Sequence, residues 1–328
     1  MSQLTFIGRQ QQEEQPENFC LFDRIDEPIT EPEMIFPELW TAKTMGLFTG
    51  DGGVGKTHFT LQMLKLIASG GELEGTPFRC PTPRPVVYIT QEDEGDFIRG
   101  ELLTQYPELK NDPEVAKRIR IISTAVKGPN LTLQNPKYRK YLIDNLPKGC
   151  VFVLDSWSTF LTCNENDNTE LQKEIRYLRE VMKKCEATPF LIHHRPKVNP
   201  QTGIQSSFRG GTALPNNCRF HMMVESKSGA VKLSFEKVSR GQKPNAVTLI
   251  FDEERKLLVP KGKDRYVKAF GRREELTTTE FMKRIGKDPE DQKQRKQALD
   301  ILRHREKARI LKKVSEGKKG QDSVWKRR

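Results

Sequence analysis

Eight consecutive residues have the types and spacing that bind a nucleoside triphosphate. They fit the pattern G-x-x-x-x-G-K-[ST] at every fixed position, and they read Gly50-Asp51-Gly52-Gly53-Val54-Gly55-Lys56-Thr57. The glycines allow several backbone N–H groups to turn towards phosphate oxygens. Lys56 would reach the β- and γ-phosphates, and the Thr57 hydroxyl would coordinate the Mg²⁺ that bridges them. We therefore expect this loop to bind a nucleoside triphosphate with Mg²⁺.

The segments on either side of the loop predict the strand and the helix that this motif requires. Residues 45–49 form a short apolar run, and residues 58–69 carry apolar side chains at helical spacing. A helix that begins at the loop favours anions at its N-terminus. A chance match in a glycine-rich turn is the alternative, and the strand-loop-helix context argues against it.

Carboxylates follow two other apolar runs that predict buried parallel strands. Residues 86–90 stop at Gln91-Glu92-Asp93-Glu94, and residues 151–155 end in Asp155. The second run fits the Walker B pattern, in which the aspartate would hold the Mg²⁺ or orient a water molecule on it. An aspartate that only caps the following helix is the simpler alternative. The phosphate-binding loop upstream favours the metal role.

A further apolar run, residues 189–194, ends in two histidines. Neighbouring side chains of a strand point to opposite faces, so only one of His193 and His194 can face the phosphates. We expect His194 to contact the γ-phosphate.

Strands alternate with helices through this part of the chain. Helices are predicted at 96–106, 136–145 and 168–186, with another strand at 118–123. This alternation predicts an α/β fold with a doubly wound, mostly parallel sheet. Three later runs predict antiparallel strands that continue the sheet, at 219–225, 230–237 and 246–252. Residues 197–211 are polar and predict a loop.

With these motifs placed, the chain resembles the RecA-like ATPases, in the branch that contains the plasmid RepA-type and DnaB-type hexameric helicases. The resemblance covers about residues 33 to 260. The segments that carry it are 50–57, 88–93, 154–156, 191–194, 208–214 and 216–219.

The resemblance implies roles for residues outside the phosphate-binding loop. Glu92, expected at the end of the strand beside the loop's strand, would polarise the attacking water. A neighbouring subunit would supply an arginine finger. Arg240 with Lys237 resembles the Lys-x-x-Arg pair of DnaB-type enzymes, whereas Arg219 resembles the arginine of the RepA type. The choice between them stays open, with Arg209 as a weaker third candidate. The loop at 197–211 would face DNA in a central channel.

The net charge of +12 is concentrated in one part of the chain. Residues 261–328 hold 23 Lys and Arg against 11 Asp and Glu, and residues 1–260 hold 33 of each sign. Such one-sided basicity suggests a polyanionic partner, nucleic acid before a membrane surface. The six cysteines are widely scattered and indicate neither a zinc site nor a disulfide framework.

Residues 264–328 resemble a winged-helix DNA-binding module. Helices are predicted at 277–285 and 288–304, the second with Arg305 among its outward-facing cations. Residues 308–315 and 323–326 would form a hairpin with a basic tip at 316–321. A loosely ordered basic tail that binds phosphates is the alternative.

The sequence therefore predicts three segments, namely an N-terminal flexible arm (1–32), a RecA-like ATPase domain (33–260) and the basic module (264–328). We expect a DNA-dependent ATPase, a ring-forming, hexameric replicative helicase of a mobile element or phage. The alternatives are a non-unwinding ATPase that loads or regulates partners on DNA, and a nucleotide-gated binding module. No apolar run approaches the roughly 18 to 20 residues that span a bilayer, so we expect a cytoplasmic protein without membrane segments.

Overall fold

The structure is a computed structural model, and it describes residues 18–126, 130–195, 211–227, 229–271, 275–315 and 322–328. The chain divides into two units, Met1–Pro32 and Glu33–Arg328. In the described part of the first unit, a 3-10 helix covers Leu21–Arg24 and exposes the apolar side chains of Leu21 and Phe22. All the strands and α-helices of the described residues belong to the second unit.

Sixteen strands and nine α-helices lie within the described residues. The strands are β1 (Met34–Phe36), β2 (Trp40–Thr41), β3 (Gly46–Gly50), β4 (Gly71–Glu72), β5 (Arg79–Cys80), β6 (Val86–Thr90), β7 (Ile119–Ser123), β8 (Val151–Asp155), β9 (Thr188–His194), β10 (Phe220–Lys227), β11 (Ala230–Lys237), β12 (Val247–Asp252), β13 (Leu257–Pro260), β14 (Glu275–Thr277), β15 (Leu311–Ser315) and β16 (Val324–Arg327). The helices are α1 (Lys56–Ser69), α2 (Gly95–Gln105), α3 (Pro113–Ala116), α4 (Pro136–Asn145), α5 (Asn168–Cys185), α6 (Ala213–Asn217), α7 (Arg265–Lys268), α8 (Thr278–Arg284) and α9 (Gln292–Lys307).

Nine strands form the central sheet, in the order β13-β12-β11-β10-β3-β9-β8-β6-β7. The strands from β10 to β7 in this order are parallel to one another, and β11, β12 and β13 continue the sheet antiparallel. The predicted doubly wound, mostly parallel α/β fold with antiparallel C-terminal strands is confirmed. The last of these strands, β13, was not predicted.

Two details of the predicted sheet were wrong. The strand that precedes Glu92, β6, does not lie beside β3, because β9 and β8 separate them. After β3 the chain crosses over to form β6 and β7 at one edge of the sheet. Strands β8 and β9 come later in the chain and lie between β6 and β3. In addition, β10 pairs parallel with β3 and is not antiparallel to it. The long connection after β9 gives the chain enough length to return to the opposite end of the sheet.

The buried side chains of the sheet divide between two layers of helices. Along β6, Val86 and Tyr88 belong to the apolar cluster that includes Phe59 of α1. Val87 and Ile89 belong to the other cluster, together with Ile175 of α5. This alternation explains the continuous apolar runs, because strands covered on both faces need no polar side.

The C-terminal part folds around α8, α9 and a small sheet of order β14-β16-β15. Both predicted helices and the predicted hairpin are present, and Thr277 with Glu280 forms a capping box at α8. The prediction that Arg305 faces outward was wrong, since its side chain is completely buried and binds Asp264 and Glu253. Helical spacing could not reveal this, because the two acidic partners come from distant segments. The hairpin tip at 316–321 lies outside the described residues.

The apolar core of this C-terminal part, residues 264–328, includes the aromatic side chains of Tyr266, Phe270, Phe281 and Trp325. A separate small cluster of Ala230, Ile250, Val267 and Ile310 joins it to the central sheet. The division into a flexible arm, an ATPase domain and a winged-helix module stays a prediction. Among the described helices, none is both long and apolar enough to cross a membrane.

Candidate active site

The phosphate-binding loop connects β3 to α1 in a conformation that requires glycine at three positions. Gly53 and Gly55 have left-handed backbones, with φ of 70° and 92°, which side chains disfavour. At Gly50 a Cβ atom would lie 2.6 Å from Cγ2 of Val224 on the neighbouring strand β10. Gly55 is the N-cap of α1, so the helix N-terminus opens directly onto the loop.

Lys56, the first residue of α1, folds back into this loop. Its ammonium group donates hydrogen bonds to the carbonyl oxygens of Gly50 at 2.9 Å and Asp51 at 2.7 Å, and it lies 3.3 Å from Nδ1 of His194. Burial lowers the pKa of Lys56, and the nearby carboxylates of Asp155, Asp51 and Glu92 act in the opposite direction. The ammonium is therefore placed where a bound triphosphate would need positive charge.

Thr57 and Asp155 bring two oxygen ligands together. The Thr57 hydroxyl lies 3.5 Å from Oδ2 of Asp155, which is also the acceptor of a hydrogen bond from the Tyr88 hydroxyl. Burial raises the pKa of Asp155 to about 6, Glu92 raises it further, and the Tyr88 hydrogen bond and Lys56 oppose this. A hydroxyl and a carboxylate at this separation fit Mg²⁺, which takes oxygen ligands from one or two protein groups and from phosphates.

Glu92 approaches the same place from the end of β6. Its Oε1 accepts a hydrogen bond of 2.6 Å from the hydroxyl of Ser156, the residue that follows Asp155. The backbone N–H groups of Glu92 and Asp93 both donate to the Thr90 hydroxyl, at 3.1 and 3.2 Å. The turn after β6 is thus fixed, and its glutamate points towards the end of β8.

The two histidines at the end of β9 lie in different surroundings. His193 is 2% exposed, and its Nε2 is 3.8 Å from Oε2 of Glu165. His194 pairs with Gly50 across the sheet and lines the cavity above the loop. This is the placement expected for a residue that contacts the γ-phosphate, and the role itself stays a prediction.

These side chains surround one cavity of about 640 Å³. On one side of β3 it is lined by the residues at the ends of β6, β8 and β9. On the other side it is lined by residues of β10 to β13 and of α9. The full lining comprises Gly53, Val54, Gly55, Lys56, Thr57, His58, Glu92, Asp93, Phe97, Glu101, Asp155, His194, Ser226, Gly229, Ala230, Val231, Phe251, Leu258 and His304.

The cationic residues predicted as fingers lie at the opposite end of the sheet. Phe220 pairs with Gly46 and Val224 with Gly50, so Arg219 precedes the start of β10 and lies five residues before the level of the loop. Lys237 pairs with His221, and its ammonium binds the carbonyl oxygens of Pro215 and Asn216. Arg240 follows on the same side, with its side chain exposed. Arg209 and most of the loop predicted at 197–211 lie outside the described residues.

Two residues that bind the predicted carboxylates of Asp155 and Glu92 were not predicted as site residues. Tyr88 lay inside an apolar run and Ser156 directly after one, where neither suggests chemistry alone. The register Thr90 with Asp155 brings these two strand ends together. The available signal for Tyr88 was the alternation of side chains along a strand, which places Tyr88 on the same face as Thr90, the last residue of β6.

Comparisons with known proteins concern the family and the fold of the chain. A sequence profile described as an AAA domain (AAA_25) matches residues 10–200. One solved structure, described as an ATPase domain, superposes with a TM-score of 0.50 at 15% identity, over 73% of this chain and 94% of that one. A DnaB-like replicative helicase, described with its interactions with primase, gives 0.50 at 14% identity, over 73% of this chain and 64% of that one.

These solved structures establish a shared fold, and the expected RecA-like ATPase fold is confirmed. The chain spans somewhat less than two thirds of the DnaB-like helicase. No curated protein matches it in sequence.

Proposed function

Because the chain belongs to the AAA domain family of P-loop ATPases, we propose that it hydrolyses ATP to move on DNA, as a ring-forming replicative helicase of a mobile element or phage. One observation supports hydrolysis above all. The loop lysine, the Thr57–Asp155 pair, Glu92 and His194 all line one cavity at one edge of the sheet. A protein that only bound nucleotide would not need a carboxylate held at the γ-phosphate side.

In this proposal each residue has a separate task. Lys56 binds the β- and γ-phosphates, and the backbone N–H groups of residues 50–57 hold the remaining oxygens. Thr57 and Asp155 would hold Mg²⁺, which offsets the charge of the phosphates. Glu92 orients a water molecule towards the γ-phosphorus and accepts its proton, and Ser156 keeps the carboxylate in position. His194 contacts the γ-phosphate beside Lys56.

The positions of Arg219 and Arg240 favour an assembly in which two neighbouring subunits together complete an ATP site. Arg219 lies about 17 Å from the level of the loop, taking about 3.3 Å for each of the five residues along the strand, and Arg240 follows the same end of the sheet. Neither can reach the phosphates of its own loop. A neighbouring subunit in a ring, a hexamer in our proposal, would bring one of them to that site.

Two observations on the chain favour DNA as the partner. The net positive charge comes entirely from residues 261–328, where Lys293 and Lys296 are exposed on α9. Helices, a small sheet and cations in this arrangement suit a winged helix that contacts phosphates. A solved structure with the same fold, described as a DnaB-like replicative helicase, is consistent with this partner.

A forked DNA duplex tests this proposal. We expect ATP hydrolysis that rises with single-stranded DNA, together with separation of the fork. Hydrolysis that rises with DNA while the fork stays paired would instead indicate the alternative, a DNA-dependent ATPase that loads or regulates partners without unwinding. Nucleotide binding without any turnover would contradict both and leave a nucleotide-gated binding module.

A further inference from the structure

The cavity extends well beyond the residues that the proposed hydrolysis uses. Asp155 and His194 end strands β8 and β9, and Glu92 follows β6, all on one side of β3 in the sheet. On the other side, the lining comes from the strands β10 to β13 and from α9, and it comprises Ser226, Gly229, Ala230, Val231, Phe251, Leu258 and His304. The C-terminal part, residues 264–328, thus contributes His304 to this wall of the candidate ATP site.

The position of His304 in this wall is fixed by its own contact with Glu253 and by the buried side chain of the next residue, Arg305. Nδ1 of His304 lies 2.9 Å from Oε1 of Glu253, and the same oxygen accepts a hydrogen bond of 2.6 Å from Arg305. Arg305 also donates to Oδ2 of Asp264 at 2.9 Å and to the carbonyl of Phe251 at 3.0 Å. The end of α9 is therefore tied to β12, the strand that carries the cavity residue Phe251.

A second contact packs the turn before β11 closely against the same end of α9. Gly229 has a left-handed backbone, with φ of 76°. A Cβ atom there would lie 2.9 Å from Cβ of Lys307 and 3.1 Å from the carbonyl oxygen of His304. Only glycine allows so close an approach. Two cavity segments, β12 and the start of β11, are thus in direct contact with the last turn of α9.

The chemistry of this half of the cavity suits a nucleoside. A triphosphate whose γ-phosphate lies at Glu92 and His194 must extend its sugar and base towards the other side of β3. There the wall offers the apolar surfaces of Val231 and Leu258 and the ring of Phe251, which are suited to a flat aromatic base. Because Glu253 holds Nδ1 of His304, contact with a ligand would use Nε2 or the ring face.

We propose that the last turn of α9 is a nucleoside-binding element, with His304 as its contact residue, so that residues 264–328 take part directly in binding ATP. This inference rests on the proposed function, because that function identifies the cavity as the ATP site. One consequence is that ATP stabilises the packing of α9 against the sheet, since a ligand stabilises the state that binds it.

Calorimetric titration of the full chain with ATP and with inorganic tripolyphosphate tests the inference. We expect His304→Ala to weaken ATP binding about 5- to 10-fold, the loss of one polar and packing contact. Tripolyphosphate binding should not change, because it has no nucleoside. Arg303→Ala is the matched control, since Arg303 is the preceding residue of α9 and pairs with Asp300 on the exposed face. It should leave both affinities unchanged.

Hydrogen exchange provides a second measurement that needs no variant. ATP should slow amide exchange in residues 301–308 of the wild-type chain, and tripolyphosphate should not. The inference is overturned if His304→Ala binds ATP as tightly as Arg303→Ala does, or if it weakens both ligands equally. Failure of the proposed function would look different: Lys56→Ala would then leave the binding of both ligands unchanged.

Discussion

The hydroxyl of Ser156 donates a hydrogen bond of 2.6 Å to Oε1 of Glu92. The two residues follow the neighbouring strands β8 and β6, whose last residues Asp155 and Thr90 are in register. The candidate metal ligand and the candidate general base are therefore linked through one serine side chain. This link makes Ser156 a positioning residue, since it would act only through Glu92.

Loss of that hydroxyl should slow hydrolysis without weakening ATP binding. We expect Ser156→Ala to lower kcat about 10-fold, the effect of one hydrogen bond that orients the reacting group. KM should change by less than about twofold, because the loop and the metal ligands are intact. Ser69→Ala is the control, since its hydroxyl donates to the carbonyl oxygens of Lys65 and Gly70 at the end of α1, away from the site. A kcat equal to that of the control would contradict the positioning role.

Mixed assemblies should show whether an arginine acts on a neighbour's site. A Glu92→Gln subunit keeps its arginines and loses its own hydrolysis, and an Arg219→Ala or Arg240→Ala subunit keeps its own loop and glutamate. If one arginine is the finger, we expect its variant to be inactive alone and to regain ATP hydrolysis when mixed with Glu92→Gln. An arginine that acts within its own subunit would give no recovery in the mixture.

Exposed lysines of α9 should contribute phosphate contacts to DNA binding. We expect the double variant Lys293→Ala, Lys296→Ala to weaken binding at low salt and to reduce the slope of log affinity against log salt by about 2. The control is the double variant Lys117→Ala, Lys140→Ala, which removes equal charge after α3 and in α4, at side chains that are 73% and 76% exposed. It should leave the slope unchanged. If both double variants show the same slope as the wild type, α9 does not contact DNA phosphates.

A buried histidine beneath the loop should make the fold sensitive to acid. Burial lowers the pKa of His221 to about 4, with Lys237 and Lys243 adding to the effect, from 6.5 in the unfolded chain. The neutral ring is favoured in the folded state, so its contribution is fully present above pH 6.5 and is lost as the pH falls from 6.5 towards 4. The loss approaches about 3 kcal/mol.

His221→Gln tests this dependence while retaining a partner for the Thr49 hydroxyl, which lies 2.9 Å from Nε2 of His221. We expect the free energy of unfolding of the variant, from urea titrations, to fall less between about pH 7 and pH 4 than that of the wild type. Other titrating groups are common to both proteins and cancel in the difference. Parallel pH curves would contradict the assignment.

The sequence predicted the local elements well because their signals are local. The limits of α4 follow from its cap, those of β8 from an apolar run, and the phosphate-binding loop from its glycine positions, all within a few residues. The order of the strands was harder. Two strands separate β6 from β3, and no local pattern encodes which strands become neighbours.

Contacts between distant segments account for what the sequence could not predict. Arg305 carries the spacing of a solvated helix face, and only Asp264 and Glu253, 41 and 52 positions away, explain its burial. His304 enters the candidate ATP site for the same reason, because α9 packs against β12. Such residues can be recognised only after the two parts of the chain are placed together.

Glu92→Gln tests the central claim most directly. In a single-turnover experiment with ATP, Mg²⁺ and single-stranded DNA, we expect this variant to bind ATP like the wild type and to hydrolyse it at least about 100-fold more slowly, since the amide cannot accept the proton of the attacking water. Glu94→Gln, two residues further along and directly before α2, should hydrolyse ATP at the wild-type rate. Hydrolysis by Glu92→Gln at the rate of that control would contradict the account.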